Sequence, residues 1–174
     1  RQSTIEATRG LILARQSAGV PMLLELLRSA DPKMSRLGLR VARELPGPEV
    51  GKALLAELEQ AAPERRSYLL QALADRGGEA VLPAALKAAR SGPPELRIVA
   101  IGLLERSGSA SVVRVLLEIA AGDDGQAAPA AKLALSRMPG AEIDAAVVSM
   151  LKDPQPANRL LALDLLTQRR VGGA

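Results

Sequence analysis

The chain has 174 residues, 48% of them hydrophobic, and a formal net charge of +4, which suits one domain or one repeat array. It contains no cysteine, histidine, phenylalanine or tryptophan, and only one tyrosine. Disulfides, thiolate metal sites and histidine-based catalysis are therefore excluded, and the core must be aliphatic. The mild positive charge does not by itself predict nucleic-acid binding, which commonly also uses aromatic stacking platforms.

Apolar residues with a 3.6-residue rhythm, rich in leucine and alanine, predict helices along the whole chain. The opening helix is predicted over 4–17. Five pairs of helices follow, and their short connections predict antiparallel packing. The pairs are 20–30 with 34–45, 49–61 with 64–75, 79–91 with 95–106, 110–121 with 126–138, and 141–152 with 157–169.

A repeat of about 31 residues organises these helices. Apolar markers fall at Val20, Val50, Val81, Val112 and Ile143. Arginines keep a similar spacing at Arg36, Arg66, Arg97 and Arg159, with Ala128 in the remaining place, and glycines keep it at Gly47, Gly78 and Gly140. We therefore expect a single array over 1–174, with units of about 1–19, 20–47, 48–78, 79–109, 110–140 and 141–172.

Each repeat carries signals for where its second helix begins and ends. Pro63, Pro94 and Pro156 each precede the repeated arginine by three residues. Proline suits the first turn of a helix, where its missing N–H is not needed. Glycine follows the second helix of most units, because it readily adopts the positive φ of a helix end.

Three segments make the chain resemble the HEAT-like repeats of the phycobilin-lyase type. They are "DPKMSRLGLRVAREL" (31–45), "GPPELRIVAIGLL" (92–104) and "DPQPANRLLALDLL" (153–166). The resemblance implies an all-α fold: a right-handed α-α superhelix, or armadillo-like solenoid, of about five antiparallel hairpins preceded by one leading helix. It also implies that the second helices line a concave face.

The repeated arginines have two interpretations. They could form a basic ladder that binds acidic partners, or they could hold the bends together by donating to helix-end carbonyls and neighbouring aspartates. The resemblance implies the second, structural role, and we favour it. The residues of this predicted structural ladder are Asp31, Arg36, Arg66, Arg97, Asp153 and Arg159.

A second basic set lies further along the second helices and is the candidate protein-binding stripe on the concave face. Its members are Arg40, Arg43, Arg106, Lys132, Arg137 and Arg169, followed by Arg170. Glu44, Glu105 and Asp164 are interspersed, so a merely solvated mixed-charge face is the alternative.

No residue is predicted to be catalytic, to bind a cofactor or to bind a metal. The "GDDGQ" segment (122–126) lacks the alternating ligands and closing glutamate of a calcium loop. Other HEAT-like proteins include a metal-dependent hydroxylase with His-Glu motifs, and this chain has no histidine. We therefore expect a non-catalytic protein-interaction or scaffold module and not an enzyme. The alternative is an accessory repeat domain or subunit of a larger bacterial enzyme, of lyase or redox type, whose chemistry lies outside this segment.

The expected partner is a protein or peptide, and nucleic acid is not favoured. No apolar run reaches the ~18 residues of a membrane-spanning helix, so no membrane span is expected. The chain starts inside a helical pattern, and helix 157–169 is apolar nearly all round. We therefore expect a segment of a longer protein. The sequence carries no signal for compartment or oligomeric state.

Overall fold

The computed structural model describes residues 2–78, 81–107 and 109–169. Regular structure in these ranges consists of eleven α-helices and two 3₁₀ segments, Gln16–Gly19 and Met150–Lys152, without a strand. The α-helices are α1 (Gln2–Arg15), α2 (Val20–Arg28), α3 (Pro32–Glu44), α4 (Pro48–Gln60), α5 (Pro63–Arg76), α6 (Val81–Ser91), α7 (Pro94–Glu105), α8 (Ala110–Ala120), α9 (Ala127–Arg137), α10 (Ala141–Ser149) and α11 (Pro156–Arg169).

These helices follow the predicted order, and proline accounts for several of their starts. Pro32, Pro63 and Pro94 are the first residues of α3, α5 and α7. The predicted opening helix over 4–17 ends earlier, at Arg15, because Gln16 has a φ of +49° and leaves the α-helical conformation. Residues 79 and 80, predicted to begin α6, lie outside the described residues.

The chain forms two compact units. Unit 1 is Arg1–Ala84, and in it α2 packs against α3, α4 packs against α5, and α3 packs against both α1 and α5. Its core is aliphatic, with Ile12, Leu23, Val41 and Leu54 fully buried. Each hairpin buries its apolar side against its neighbour, as expected for stacked helical repeats.

Unit 2 is Ala85–Ala174 and is built in the same way. Helix α8 packs against α9, α10 packs against α11, and α9 packs against both α7 and α11. Ala100, Leu104, Leu116 and Leu135 form part of its buried core. The second helices α7, α9 and α11 are therefore neighbours in one layer, which positions the surface described below.

One stretch, Thr4–Arg28, is long and apolar enough by composition to cross a membrane, with a hydropathy of 1.2. Charged residues, among them Arg15 and Glu25, interrupt its apolar residues, so it contains no uninterrupted apolar run of ~18 residues. In the structure it comprises α1, a 3₁₀ turn and α2, and it supplies Ile12 and Leu23 to the core of unit 1. The core of a folded helical protein passes the same composition test.

Candidate protein-binding surface

Three of the repeated arginines donate hydrogen bonds to carbonyls near a helix end. Arg66 Nε donates to Ala61 O at 2.8 Å, and Arg66 Nη2 donates to Glu59 O at 3.3 Å. Arg97 Nε donates to Ala89 O at 2.9 Å. Arg159 Nη1 donates to the carbonyls of Asp153 and Pro154, at 2.8 and 2.9 Å. These side chains hold the bend between the two helices of a hairpin.

Proline explains why such donors are needed. An α-helical carbonyl accepts from the N–H four residues later. For Glu59 and Ala89 that residue is Pro63 and Pro93, which have no N–H. An arginine one turn into the next helix supplies the missing donor, so proline and arginine act as a pair at the bends before α5 and α7.

Arg36 departs from this pattern and corrects its place in the structural ladder. It is exposed, and its side chain makes no hydrogen bond or ion pair with a residue that the structure describes. Arg36 stands 11 residues before Gly47, whereas Arg66 stands 12 before Gly78. One residue turns a helix by about 100°, which carries this side chain away from the bend. Ser35 occupies the position equivalent to Arg66.

The Asp31 side chain caps α3 and the Asp153 side chain stabilises the turn before α11, and neither pairs with an arginine side chain of its own bend. Asp31 Oδ1 accepts from Lys33 N at 2.8 Å, and Asp153 Oδ1 accepts from Gln155 N at 2.8 Å. An aspartate directly before a helix, as Asp31 is before α3, satisfies an N–H that the first turn leaves without a helical partner.

Asp124, in "GDDGQ", is the one described aspartate whose side chain both accepts backbone hydrogen bonds at a helix start and pairs with an arginine. Its Oδ1 accepts from the backbone N–H groups of Ala127 and Gln126, at 2.6 and 2.9 Å, and its Oδ2 pairs with Arg97 at 2.5 Å. The hydrogen bonds from Ala127 and Gln126, and then the Arg97 charge, hold the pKa of Asp124 below its ordinary value. Asp124 therefore links the α7 hairpin to the next one.

Arg169 belongs to the fold and not to an open binding stripe, which corrects its predicted place. Its side chain is only 6% exposed and pairs with Asp144 at 2.6 Å. It also donates to the carbonyls of Leu135 and Met138 at the end of α9. The expected helical donor for Leu135 O is position 139, a proline without an N–H.

Arg76 plays the same role in unit 1, and the sequence analysis did not single it out. Its Nη1 donates to Ala42 O at 2.7 Å and to Leu45 O, and its Nη2 donates to Gly47 O at 3.0 Å. The residue four after Ala42 is Pro46. The signal was present in the sequence: Arg76 and Arg169 each follow the proline of a "Pro-Gly" helix end by 30 residues.

Two further sets of contacts between the helices of unit 1 were not predicted from the sequence. Arg28 donates from Nε and Nη2 to Glu57, at 3.0 and 2.7 Å, and Glu57 is buried. Arg65 donates to the carbonyls of Leu27 and Ser29 at the end of α2. Arg28 recurs 62 residues later as Arg90, which pairs with Glu118 at 3.4 Å, so a periodic signal was present for this contact. Arg65 occurs in one repeat only.

The unit 1 members of the candidate basic stripe are engaged by carboxylates of neighbouring helices. Arg40 pairs with Glu6 at 3.0 Å and Glu44 at 3.4 Å, and Arg43 pairs with Asp75 at 2.6 Å. Glu44 also accepts from Arg9, and this hydrogen bond lowers the pKa of Glu44. On the second helices of unit 1, neighbouring carboxylates therefore neutralise the arginines of the candidate stripe.

The unit 2 members are placed differently. Arg106 and Arg137 are exposed at the ends of α7 and α9, and neither side chain has a hydrogen bond or ion pair with a described residue. Lys132 is half-buried on α9. Arg170 lies outside the described residues. The candidate stripe thus consists of paired cations in unit 1. In unit 2 only Arg106 and Arg137 face solvent, since Lys132 is half-buried and Arg169 is buried and paired.

An apolar ridge accompanies Arg106 and Arg137 on the same helices. It consists of Ile98 on α7, Leu133 on α9 and Leu160 on α11, which are 37%, 48% and 66% exposed. Ile98 and Leu160 occupy the same place in the repeat, 62 residues apart, and the exposed Pro129 lies at that place between them. Leu133 is one turn further along α9. Because these helices are neighbours in one layer, the three side chains share one face.

The chain is similar to known proteins in structure and not in sequence. Neither a protein-family model nor a curated protein matches the chain. A solved structure of human deoxyhypusine hydroxylase in complex with glycerol is similar, with 17% sequence identity over 95% of this chain and 78% of that chain, and a TM-score of 0.42. The predicted fold class is confirmed: the chain is all-α and built of HEAT-like helical hairpins.

This match overturns the expectation of a non-catalytic interaction or scaffold module, and with it the expectation that the chain is not an enzyme. The same correction covers the alternative that placed the chemistry outside this segment. Those expectations were drawn from the repeat architecture, which by itself does not decide whether a protein is an enzyme. At this level of identity the hydroxylase activity itself is not carried over to this chain.

Proposed function

We propose that unit 2 binds a protein partner through the apolar ridge of Ile98, Leu133 and Leu160. The observation that supports this proposal is the exposure of three aliphatic side chains on three neighbouring helices of one layer. Contiguous apolar surface on an otherwise polar exterior is characteristic of sites that bind other proteins. Binding a partner is compatible with catalysis as well as with assembly.

The ridge is not a by-product of the repeat. Buried positions of the second helices are aliphatic in both units, as at Val41 in α3 and Leu135 in α9. At the ridge positions, in contrast, unit 1 has Ser67 and Gln71 where α7 has Ile98 and Gly102. The fold therefore tolerates polar side chains at these positions, and packing within the unit does not require the apolar ones.

The size of the effect follows from the area that a partner would cover. Complete burial of an aliphatic side chain is worth about 1.5–3 kcal/mol, so three that are roughly half exposed contribute about 3 kcal/mol together. Loss of that contribution corresponds to a roughly 100-fold weaker complex. A lysine placed at one of these positions adds the cost of covering a charge.

The test has two stages. A photo-crosslinking amino acid at position 133 would first capture partners in the native cells, and each captured protein would then be purified and titrated against the chain. We expect Leu133→Lys and Leu160→Lys each to weaken binding at least 10-fold. Leu11→Lys is the matched control, because Leu11 is 45% exposed on α1 in unit 1. Equal binding by all three variants would contradict the proposal.

We also propose that the repeats belong to the phycobilin-lyase type of HEAT-like repeat. Support comes from the "Asp-Pro" bends at 31–32 and 153–154 and from the arginine three residues after the helix-starting proline at Arg66, Arg97 and Arg159. An alignment of homologous chains tests this proposal. Loss of the proline and arginine pair across close homologues would argue for a different repeat type.

A further inference from the structure

We propose that the partner segment seated on the ridge is an acidic amphipathic α-helix, whose carboxylates reach Arg106 and Arg137. This inference rests on the proposed function, since it names what the ridge binds. Three observations support it. Arg106 and Arg137 lie beside the ridge, they are one repeat apart, and neither has a carboxylate partner among the described residues.

Arg106 and Arg137 are equivalent residues of successive repeats, 31 positions apart. The position equivalent to them in α5 is Asp75, which pairs with Arg43. In α11 it is Gln168, which donates to Asp164 at 3.1 Å. Each of those side chains is bonded to another residue of the same chain. The two arginines face solvent, and their N–H donors are available to a ligand. A guanidinium is the group best suited to bidentate binding of a carboxylate.

The spacing indicates a helix as the ligand. Helices packed side by side lie about 8–10 Å apart, so the two arginines are separated by about 10 Å across the layer. Residues seven apart on an α-helix are also separated by about 10 Å, at 1.5 Å per residue. A partner helix that crosses α7 and α9 can therefore present carboxylates at i and i+7 to Arg106 and Arg137.

The residues of the apolar ridge are separated by the same distance from one helix to the next. Ile98 and Leu160 occupy one repeat position on α7 and α11, and on α9 Pro129 holds that position with Leu133 one turn beyond it. Apolar residues seven apart on the partner would therefore meet Ile98, the turn from Pro129 to Leu133, and Leu160. The ridge-to-arginine distance is about 12 Å along α7, from Ile98 to Arg106, and about 6 Å along α9, from Leu133 to Arg137, so both arginines lie within the width of a helix with its side chains. One edge of the partner helix would then lie on the ridge and the opposite edge on the arginines.

The experiment uses two designed helical peptides of 21 residues with leucine at every seventh position. One carries glutamate at every seventh position on the adjoining edge, and the other carries lysine there. Fluorescence anisotropy with the full chain measures their dissociation constants. We expect the glutamate peptide to bind at least 10-fold more tightly, with affinity falling as salt rises. In the double variant Arg106→Glu/Arg137→Glu the preference should reverse toward the lysine peptide.

Two outcomes would overturn the inference. Equal binding of both peptides, lost together in Leu160→Lys, would show that the ridge binds without reading charge and would leave the proposed function standing. Binding of neither peptide would reject an amphipathic helix as the ligand, while the crosslinking experiment decides separately whether the ridge binds a protein. Circular dichroism of the double variant checks that the reversed charges leave the helices intact.

Discussion

Replacing Arg76 with methionine tests the structural role of arginine at a helix end that proline terminates. Arg76 donates to the carbonyls of Ala42, Leu45 and Gly47. Methionine keeps much of the apolar stem and removes every donor. Since Pro46 offers no N–H, the carbonyl of the fully buried Ala42 would lose its replacement donor.

The expected loss can be estimated from these contacts. A buried carbonyl left without a donor costs about 1–3 kcal/mol, and hydrogen bonds to a charged group contribute about 1.5–3 kcal/mol. Two of the three acceptors belong to fully buried residues, Ala42 and Leu45, and the third, Gly47, is exposed. We therefore expect Arg76→Met to lower the free energy of unfolding by about 3 kcal/mol.

Equilibrium urea unfolding followed by circular dichroism at 222 nm measures this change. With a slope of ~2 kcal/mol per molar urea, a loss of 3 kcal/mol lowers the midpoint by ~1.5 M. Arg36→Met is the matched control, because Arg36 is exposed without a described partner and should change stability by less than ~0.5 kcal/mol. Stabilities of the two variants that agree within ~0.5 kcal/mol would refute the reasoning.

Three further predictions concern the same architecture. Arg169→Met should destabilise unit 2 by about 3 kcal/mol in the same urea assay, because its donors serve a proline-terminated end of α9. Gly47 has a φ of +105°, so Gly47→Ala should cost about 1–2 kcal/mol in thermal unfolding; an unchanged melting temperature would contradict this. The pKa of Asp124 is lower in the folded state, so its contribution to stability is complete above the unfolded pKa of about 3.9 and disappears as pH falls through the folded pKa. The stability difference between wild type and Asp124→Asn, measured from pH 7 to pH 2, should therefore vanish at acid pH, and a constant difference would exclude this linkage.

The helices could be predicted because their signals are local. Apolar periodicity marks the buried faces, proline marks the starts of α3, α5, α7 and α11, and glycine marks the ends at Gly47 and Gly140. The departures are also local in cause, since the change of φ at Gln16 and the 3₁₀ turn at Met150–Lys152 shorten two predicted helices.

The role of each arginine was harder to predict, because a shift of one residue along the helix decides whether its side chain reaches a carbonyl at the bend. Arg66 and Arg97 reach their carbonyls, while Arg36 lies one position too far along its helix. Arg169 was interpreted as a surface cation from its charge alone, whereas its structural role depends on the proline-terminated helix end 30 residues earlier. Pairing that residue with the preceding proline would have indicated its role.

The candidate surface depended on information that a single sequence does not contain. Arg40 and Arg106 look alike along the chain, yet Glu6 and Glu44 neutralise the first, whereas the second has no partner among the described residues. Likewise, an apolar pattern shows that α11 is rich in leucine but does not show that Leu160 faces solvent. Only the packing of neighbouring helices separates buried leucine from exposed leucine.

The dissociation constant of a purified, crosslink-identified partner for the Leu133→Lys/Leu160→Lys double variant tests the proposed binding surface most directly. We expect this constant to rise by roughly 100-fold relative to wild type, with the urea midpoint unchanged, while Leu11→Lys binds like wild type. A double variant that binds the partner as tightly as wild type would show that the ridge of unit 2 is not the binding surface.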